Sequence, residues 1–337
     1  MEIEHDTLII SGGGINGFVI LGAIQYLYDI QKISNIQKYI GTSIGCAICY
    51  LLIIGLTPIE IMARITKEKT LDNFKHVKIK NILTGNGLFE WKHIDDFLLN
   101  ITLEKCEQPL TFKDIYDLYG VKFVCCTYNI TQKQIEYISV DNYPELSCLS
   151  AIRMSCNVPL LFSRYCYNDN YYIDRGIIDN FCISYAEPDD KILGIYLLPS
   201  TSKVHRNSID ASSNSTEPTD REPTEREPTD REPTEREPTE PTESTESKNK
   251  CIEGNEDHEK YNIQSYLMEI IATPITYHTV RQINEFLNND NVNKNNSEII
   301  ILSTVKNVFQ FTEIDILEQL NMFSSGYNDC KNYFTIK

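Results

Sequence analysis

Five residues near the start of the chain, Gly41-Thr42-Ser43-Ile44-Gly45, constrain its fold more than any other stretch. They satisfy G-x-S-x-G and stand between a β-rich run, Ile36 to Ile40, and an apolar helical run through Ile54. A strand that turns sharply into a helix, with glycines on both sides of a serine, lifts that serine above the end of a sheet. The glycines leave room for crossing backbone, and the helix N-terminus behind the serine favours negative charge beside it. Ser43 is therefore the candidate nucleophile of an α/β protein.

The rest of the chain carries the same alternation. Thr7 to Ile10 reads as a buried strand and Gly17 to Gln31 as an amphipathic helix. Val121 to Thr127 and Gln134 to Val140 read as neighbouring strands, Tyr171 to Ile173 and Ile192 to Leu198 as further ones. Thr57-Pro58-Ile59-Glu60 has the form of a capped helix start, with Thr as N-cap, Pro at the first position and Glu at the third. Helix-like sequence follows from Tyr261 to Leu287, then a strand at Ile299 to Leu302 and a last helix. Strands alternating with helices predict a three-layer sandwich around a mostly parallel sheet. At 41% hydrophobic, 337 residues supply ample core for it.

One segment breaks the pattern. From Glu217 the pentads Glu-Pro-Thr-Asp-Arg and Glu-Pro-Thr-Glu-Arg alternate through Arg236. Proline at every fifth position prevents a continuous helix, and a tract without aliphatic or aromatic residues cannot offset its ordering entropy. Residues 200–260 are expected to be a disordered insertion, a solvated linker in preference to a tail that binds a protein partner. It would separate a catalytic core at 1–199 from a part at 261–337 that completes the same domain. Glu217 to Glu246 hold ten Glu and two Asp against four Arg, so −8 of the net charge of −17 is local and the rest of the chain carries −9. That balance gives no basic footprint for nucleic acid and no electrostatic hold on anionic lipid. Membrane contact would have to be local, apolar and transient.

The expected location is cytoplasmic, with peripheral membrane contact at most. Cys46 to Leu56, the longest uncharged apolar stretch near the start, is about half a bilayer span. Met1 to Asp6 are acidic where a signal peptide is basic. Eleven scattered cysteines are expected to be free thiols; Cys46 and Cys49 read as core packing on a helix, and no Cys/His cluster has zinc spacing.

Ser11-Gly12-Gly13-Gly14-Ile15-Asn16-Gly17 follows the first strand and opens the first helix. Gly12, Gly14 and Gly17 meet the dinucleotide spacing G-x-G-x-x-G, but that site needs an acidic residue at the end of the second strand. Here the strand ends Lys38-Tyr39-Ile40 and runs into the serine turn. Two readings survive: backbone N–H groups forming an oxyanion hole, or a packing turn.

Six histidines compete as the base for Ser43: His5, His76, His93, His205, His258 and His278. His205 and His258 lie in the expected insertion, and His278 sits in a helical run without a supporting motif. Asp174, at a strand end two residues before Gly176, is the better candidate. A carboxyl with its ordinary pKa near about 4 is a weak base, so burial or the serine itself has to raise it.

Taken together, Gly12-Gly13-Gly14, the Gly-x-Ser-x-Gly turn and the Asp174-Arg175-Gly176 turn resemble the patatin-like phospholipases. So do Ala151 to Phe162 ahead of the aspartate and Ile178-Asp179-Asn180 after it; the resemblance covers Leu8 to Leu198. It implies a patatin-like hydrolase architecture and a dyad of Ser43 as nucleophile and Asp174 as general base. Gly12, Gly13 and Gly14 would be the oxyanion hole, with Gly17, Gly41, Gly45 and Gly176 as motif positions. The implied chemistry is hydrolysis of fatty acyl esters in glycerolipids or phospholipids, in lipid catabolism or membrane remodelling, through an acyl-enzyme without metal or cofactor. The rival is a catalytically silent lipid- or partner-binding protein on the same scaffold.

Two positions depart from the family pattern. Arg175 stands where Gly is usual, and a cation there would either depress the pKa of Asp174 or point outward to solvent or a lipid phosphate. Asn16 stands where Arg or Lys is frequent. Phe89, Trp91, Leu98 and Leu99 are expected in the core in preference to a lipid surface.

Overall fold

The computed structural model describes residues 4–68, 70–74, 87–198, 281, 297–306 and 314–336. The acidic repeat and the run Tyr261 to Leu287, apart from Arg281, lie outside the described residues. So do His76, His205, His258 and His278.

Eight described strands form one sheet: β1 (Thr7–Ile10), β2 (Lys38–Thr42), β3 (Lys122–Asn129), β4 (Gln134–Ile138), β5 (Tyr165–Tyr167), β6 (Asn170–Asp174), β7 (Ile192–Leu198) and β8 (Glu298–Ser303). The order is β5-β6-β3-β2-β1-β7-β8, with β4 paired to β3 off that path. β3, β2, β1, β7 and β8 are mutually parallel, whereas β4, β5 and β6 enter through antiparallel pairs. Seven helices among the described residues accompany them: α1 (Gly17–Asp29), α2 (Ile44–Ile53), α3 (Pro58–Lys67), α4 (Lys92–Cys106), α5 (Phe112–Tyr119), α6 (Cys148–Ser155) and α7 (Ile316–Ile336). The expected alternation is present, and β5 is a strand that periodicity gave no sign of. α3 begins as its sequence indicates: Thr57 and Glu60 form a capping box and Pro58 takes the first turn.

Residue alternation along the central strands divides the core. Leu8, Ile10, Phe123, Cys125, Leu193 and Ile195 face the larger core beneath the helices, while Ile9, Val124, Cys126, Ile192 and Tyr196 face the other side. There Phe181, Cys182 and Ile183, from the chain after β6, cover them. α7 lies directly on α1. A Cβ on Gly326 would fall 1.8 Å from the Val19 carbonyl oxygen, so only glycine permits the two backbones to touch.

One feature of the register creates the site. β3 pairs with β2 through Lys122–Cys126 and with β6 through Thr127–Asn129, while β4 occupies its opposite edge. β2 and β6 therefore lie on the same edge of β3 and run head to head. Thr42 stops opposite Cys126, and Asp174 stops opposite Thr127, the next residue. Residues 131 apart in sequence are delivered to one point.

Among the described residues no single helix is long and apolar enough to cross a membrane; α2 and α3 meet the criterion only jointly, as a pair bent by 114°. α2 is a buried core helix.

Candidate active site

Ser43 links β2 to α2 with φ 54° and ψ −129°, a left-handed conformation that a non-glycine residue adopts only when its surroundings enforce it. The neighbouring glycines make the turn possible. A Cβ on Gly41 would lie 2.5 Å from the Cys46 nitrogen, and one on Gly45 would lie 2.5 Å from the Ile10 carbonyl oxygen. The Ser43 hydroxyl donates to Asp174 Oδ2 at 2.5 Å. Asp174 Oδ1 accepts the Gly176 N–H at 2.7 Å, a bond that orients the carboxyl across the short turn after β6. A Cβ on Gly176 would come within 2.9 Å of that same oxygen.

Asp174 is 2% exposed. Burial pushes its pKa up to about 7, against the lowering effect of the hydrogen bonds from Ser43 and Gly176. The proton affinity that an ordinary aspartate lacks thus comes from desolvation.

Arg175 corrects both expectations made for it. It is 1% exposed, so it reaches neither solvent nor a lipid phosphate. Its guanidinium turns away from Asp174 to pair with Asp179 Oδ2 at 2.5 Å, donates to Cys182 Sγ at 3.1 Å and lies 4.6 Å from the centre of the Tyr137 ring. Accordingly it is absent from the influences on the Asp174 carboxyl. Asn16 likewise has a structural partner. Its Oδ1 accepts from the Val305 and Lys306 N–H groups at 3.0 and 3.2 Å, and its Nδ2 donates to the Lys306 carbonyl at 2.9 Å. These bonds tie the glycine turn to the chain after β8.

Gly12, Gly13 and Gly14 cross directly beside the serine. A Cβ on Gly12 would meet Asn180 Oδ1 at 2.5 Å and Ser43 Cβ at 2.9 Å; one on Gly13 would meet Leu197 Cδ1 at 2.2 Å. The Gly12 N–H points to the Asn180 carbonyl at 3.4 Å, and Asn180 Nδ2 donates to the Gly12 carbonyl at 3.0 Å. Gly14 has φ 51°. Gly17 packs on Ile44, whose Cγ1 would be 2.9 Å from a Cβ there. His5 lies at the far end of β1 near Glu298, remote from this constellation.

An apolar cavity of about 150 Å³ opens onto Ser43, walled by Phe18, Leu21, Ile48, Leu51 and Phe162 among others. Trp91 and Leu98 also line it, so part of the group expected in the core forms the cavity wall, while Phe89 is buried beside it. Sequence patterning gave no sign of Arg153. It is buried, and its guanidinium carbon lies 4.6 Å from the Trp91 ring centre and 5.4 Å from that of Phe162. Its Nη2 donates to the Ser163 carbonyl at 2.8 Å, and burial pulls its pKa down to about 10. The stack braces that wall. Cys46 and Cys49 are buried free thiols, as their place on a core helix suggested. Among the described residues no group of three or more His, Cys, Asp or Glu is placed to hold a metal.

A family model for patatin-like phospholipases matches residues 8–187, more than half of the chain. The chain belongs to the patatin-like phospholipase family. It is 32% identical over 188 residues to "Probable lipid hydrolase 463L" of Invertebrate iridescent virus 6, covering 54% of this chain and 63% of that protein. It is 24% identical over 200 residues to "Uncharacterized protein R571" of Acanthamoeba polyphaga mimivirus, covering 58% of this chain and 66% of that one. The matched region thus spans less than two thirds of either relative. The crystal structure of VipD from Legionella pneumophila shares the patatin-like fold, with a TM-score of 0.51 at 15% identity over 98% of this chain and 67% of that one.

Proposed function

We propose that this patatin-like protein is a lipid acyl hydrolase that cleaves fatty acyl esters of glycerolipids through an acyl-enzyme on Ser43. The observation that carries the reading is the hydrogen bond from the Ser43 hydroxyl to a buried Asp174 that, among the described residues, has no cation paired with it. Ionised Asp174 takes the hydroxyl proton as Oγ attacks the ester carbonyl, and the protonated carboxyl then returns it to the departing glycerol oxygen. Water repeats the sequence in reverse and releases the fatty acid. Charge on the carbonyl oxygen develops beside the glycine turn, where the Gly13 and Gly14 N–H groups and the N-terminus of α2 are the donors we assign to it. Gly12 serves by close approach, since its own N–H is directed at Asn180.

The cavity favours a hydrocarbon. Its lining is almost wholly apolar and it opens at Ser43, so the start of the acyl chain is placed there with its carbonyl at the serine. The substrate is a glycerolipid or phospholipid presented by a membrane surface or a dispersion, met by transient peripheral contact. Labelling by a fluorophosphonate probe, together with hydrolysis of a dispersed acyl ester, tests the reading. Both are expected in the wild type and lost in Ser43→Ala. Absence of both from folded wild-type protein would instead make the chain a silent scaffold.

A further inference from the structure

The two reacting residues share an unusual mechanical problem. β2 and β6 are not paired with each other; they end head to head along β3. Ser43 has already left the β2 ladder, and the Asp174 N–H is directed away from β3. The sheet alone therefore does not fix the gap across which the proton has to move.

A three-residue segment at the end of α6 closes that gap. Ser155 is fully buried, and its Oγ accepts the Ser43 backbone N–H at 2.9 Å while donating to the Cys126 carbonyl at 2.6 Å. Two residues on, the Asn157 carbonyl accepts the Asp174 N–H at 3.0 Å, and Asn157 Nδ2 donates to the Tyr172 carbonyl at 2.7 Å. Between them, Cys156 lines the cavity at Ser43. The segment is itself fastened to β3, because Thr127 Oγ1 reaches the Met154 carbonyl at 3.2 Å. Cys126 and Thr127, the two β3 residues opposite the strand ends, are the two that hold it.

We propose that Ser155 and Asn157 are positioning residues, which set the separation of Ser43 and Asp174 by gripping the backbone of each from one short segment. The inference rests on the assignment of Ser43 and Asp174 as the reacting pair. Ser155 also occupies the Ser43 N–H, which withdraws that group from oxyanion binding and holds the left-handed elbow in place.

Kinetics of Ser155→Ala and Asn157→Leu test it, each measured per mole of folded enzyme below its melting temperature. Misplacing a reacting atom by an ångström costs about a hundredfold in rate, so kcat is expected to fall by about that factor with KM nearly unchanged. The acid limb of the pH–rate profile is expected to move upward, because the Ser43 hydrogen bond lowers the Asp174 pKa. Ser155→Ala frees the Ser43 backbone, and Asn157→Leu, which keeps the carbonyl that accepts the Asp174 N–H, unfastens the segment from the Tyr172 carbonyl at the end of β6. The other ionisable groups near Asp174 are the Cys156 thiol, which burial pushes up, and Arg175, turned toward Asp179. A purely structural role lowers the melting temperature and leaves kcat and the limb in place; that result in either variant overturns the inference. If Ser155→Ala does not fold, Asn157→Leu decides alone. Full activity in Ser43→Ala would instead show that the dyad assignment had failed.

Discussion

Asp174 and Asp179 stand at the two ends of one short turn, and each is 2% exposed. At one end, Asp174 meets a serine hydroxyl and a backbone N–H and, among the described residues, no cation. At the other, Asp179 is paired with the Arg175 guanidinium and accepts the Phe181 N–H through Oδ1. The first arrangement leaves the proton affinity of a buried carboxyl uncompensated, which suits a base. The second neutralises a buried charge and locks the turn, which suits a scaffold. Adjacency in sequence misleads here. Arg175 follows Asp174 directly, yet its charge acts four residues downstream.

The sharpest way to break this contrast is to remove either member of the proposed pair. Ser43→Ala and Asp174→Asn are each expected to lower ester hydrolysis by about a thousandfold or more, because the proposed pair would work as a unit. Activity assays on folded variants check this; near-normal turnover in Asp174→Asn would erase the distinction between the two carboxylates.

The scaffold end is expected to fail differently. Arg175→Met strands Asp179 as an unpaired buried charge, a loss of about 3–5 kcal/mol by the measure of other buried pairs. Chemical denaturation reads that loss. The acid limb of the pH–rate profile in the folded fraction is expected to stay where it is, since the Arg175 guanidinium is paired with Asp179 and not with Asp174. A limb that moved by a full pH unit would mean that the cation reaches the base after all.

A smaller effect has the opposite sign. The folded pKa of Asp174, about 7, lies above the ordinary carboxylate value, so its contribution to stability is present below about pH 4 and is lost as pH rises to 7. Asp174→Asn cannot ionise. Its melting temperature relative to wild type is expected to gain a few degrees between pH 4 and 7 and then level off. Thermal melts across that range check it, and a difference that shrinks with rising pH would contradict the burial argument. The smallest effect is expected from deleting Asn207 to Lys250. The acidic repeat holds no aliphatic or aromatic side chain, and loop length costs only logarithmically, so the melting temperature should shift by about one degree or less.

Much of this was legible in the chain itself. Gly41 to Gly45 announced the elbow through its glycines and flanking runs, and the position of Asp174 at a strand end marked it as the candidate base, which the structure brings to Ser43. What escaped was everything that depends on the register around β3. Alternation identifies a strand but not which edge it takes, so the head-to-head meeting of β2 and β6 was invisible, and with it the grips of Ser155 and Asn157. Arg175 was misread because a charged residue beside a base looks electrostatically coupled to it. Asp179 and Cys182, which claim that charge, become its neighbours only when the turn closes. Asn16 posed the same difficulty, since its partners at Val305 and Lys306 lie 289 and 290 residues away.

The central claim is that a buried, cation-free Asp174 is the base for Ser43, and the pH dependence of Ser43 acylation measures it directly. Fluorophosphonate labelling of the wild type, followed from pH 5 to 9, is expected to rise along a single-proton limb centred near 7 and then to plateau, with the same limb in Arg175→Met. A rate already at its plateau by pH 5, or a limb near the ordinary carboxylate value of about 4, would contradict it.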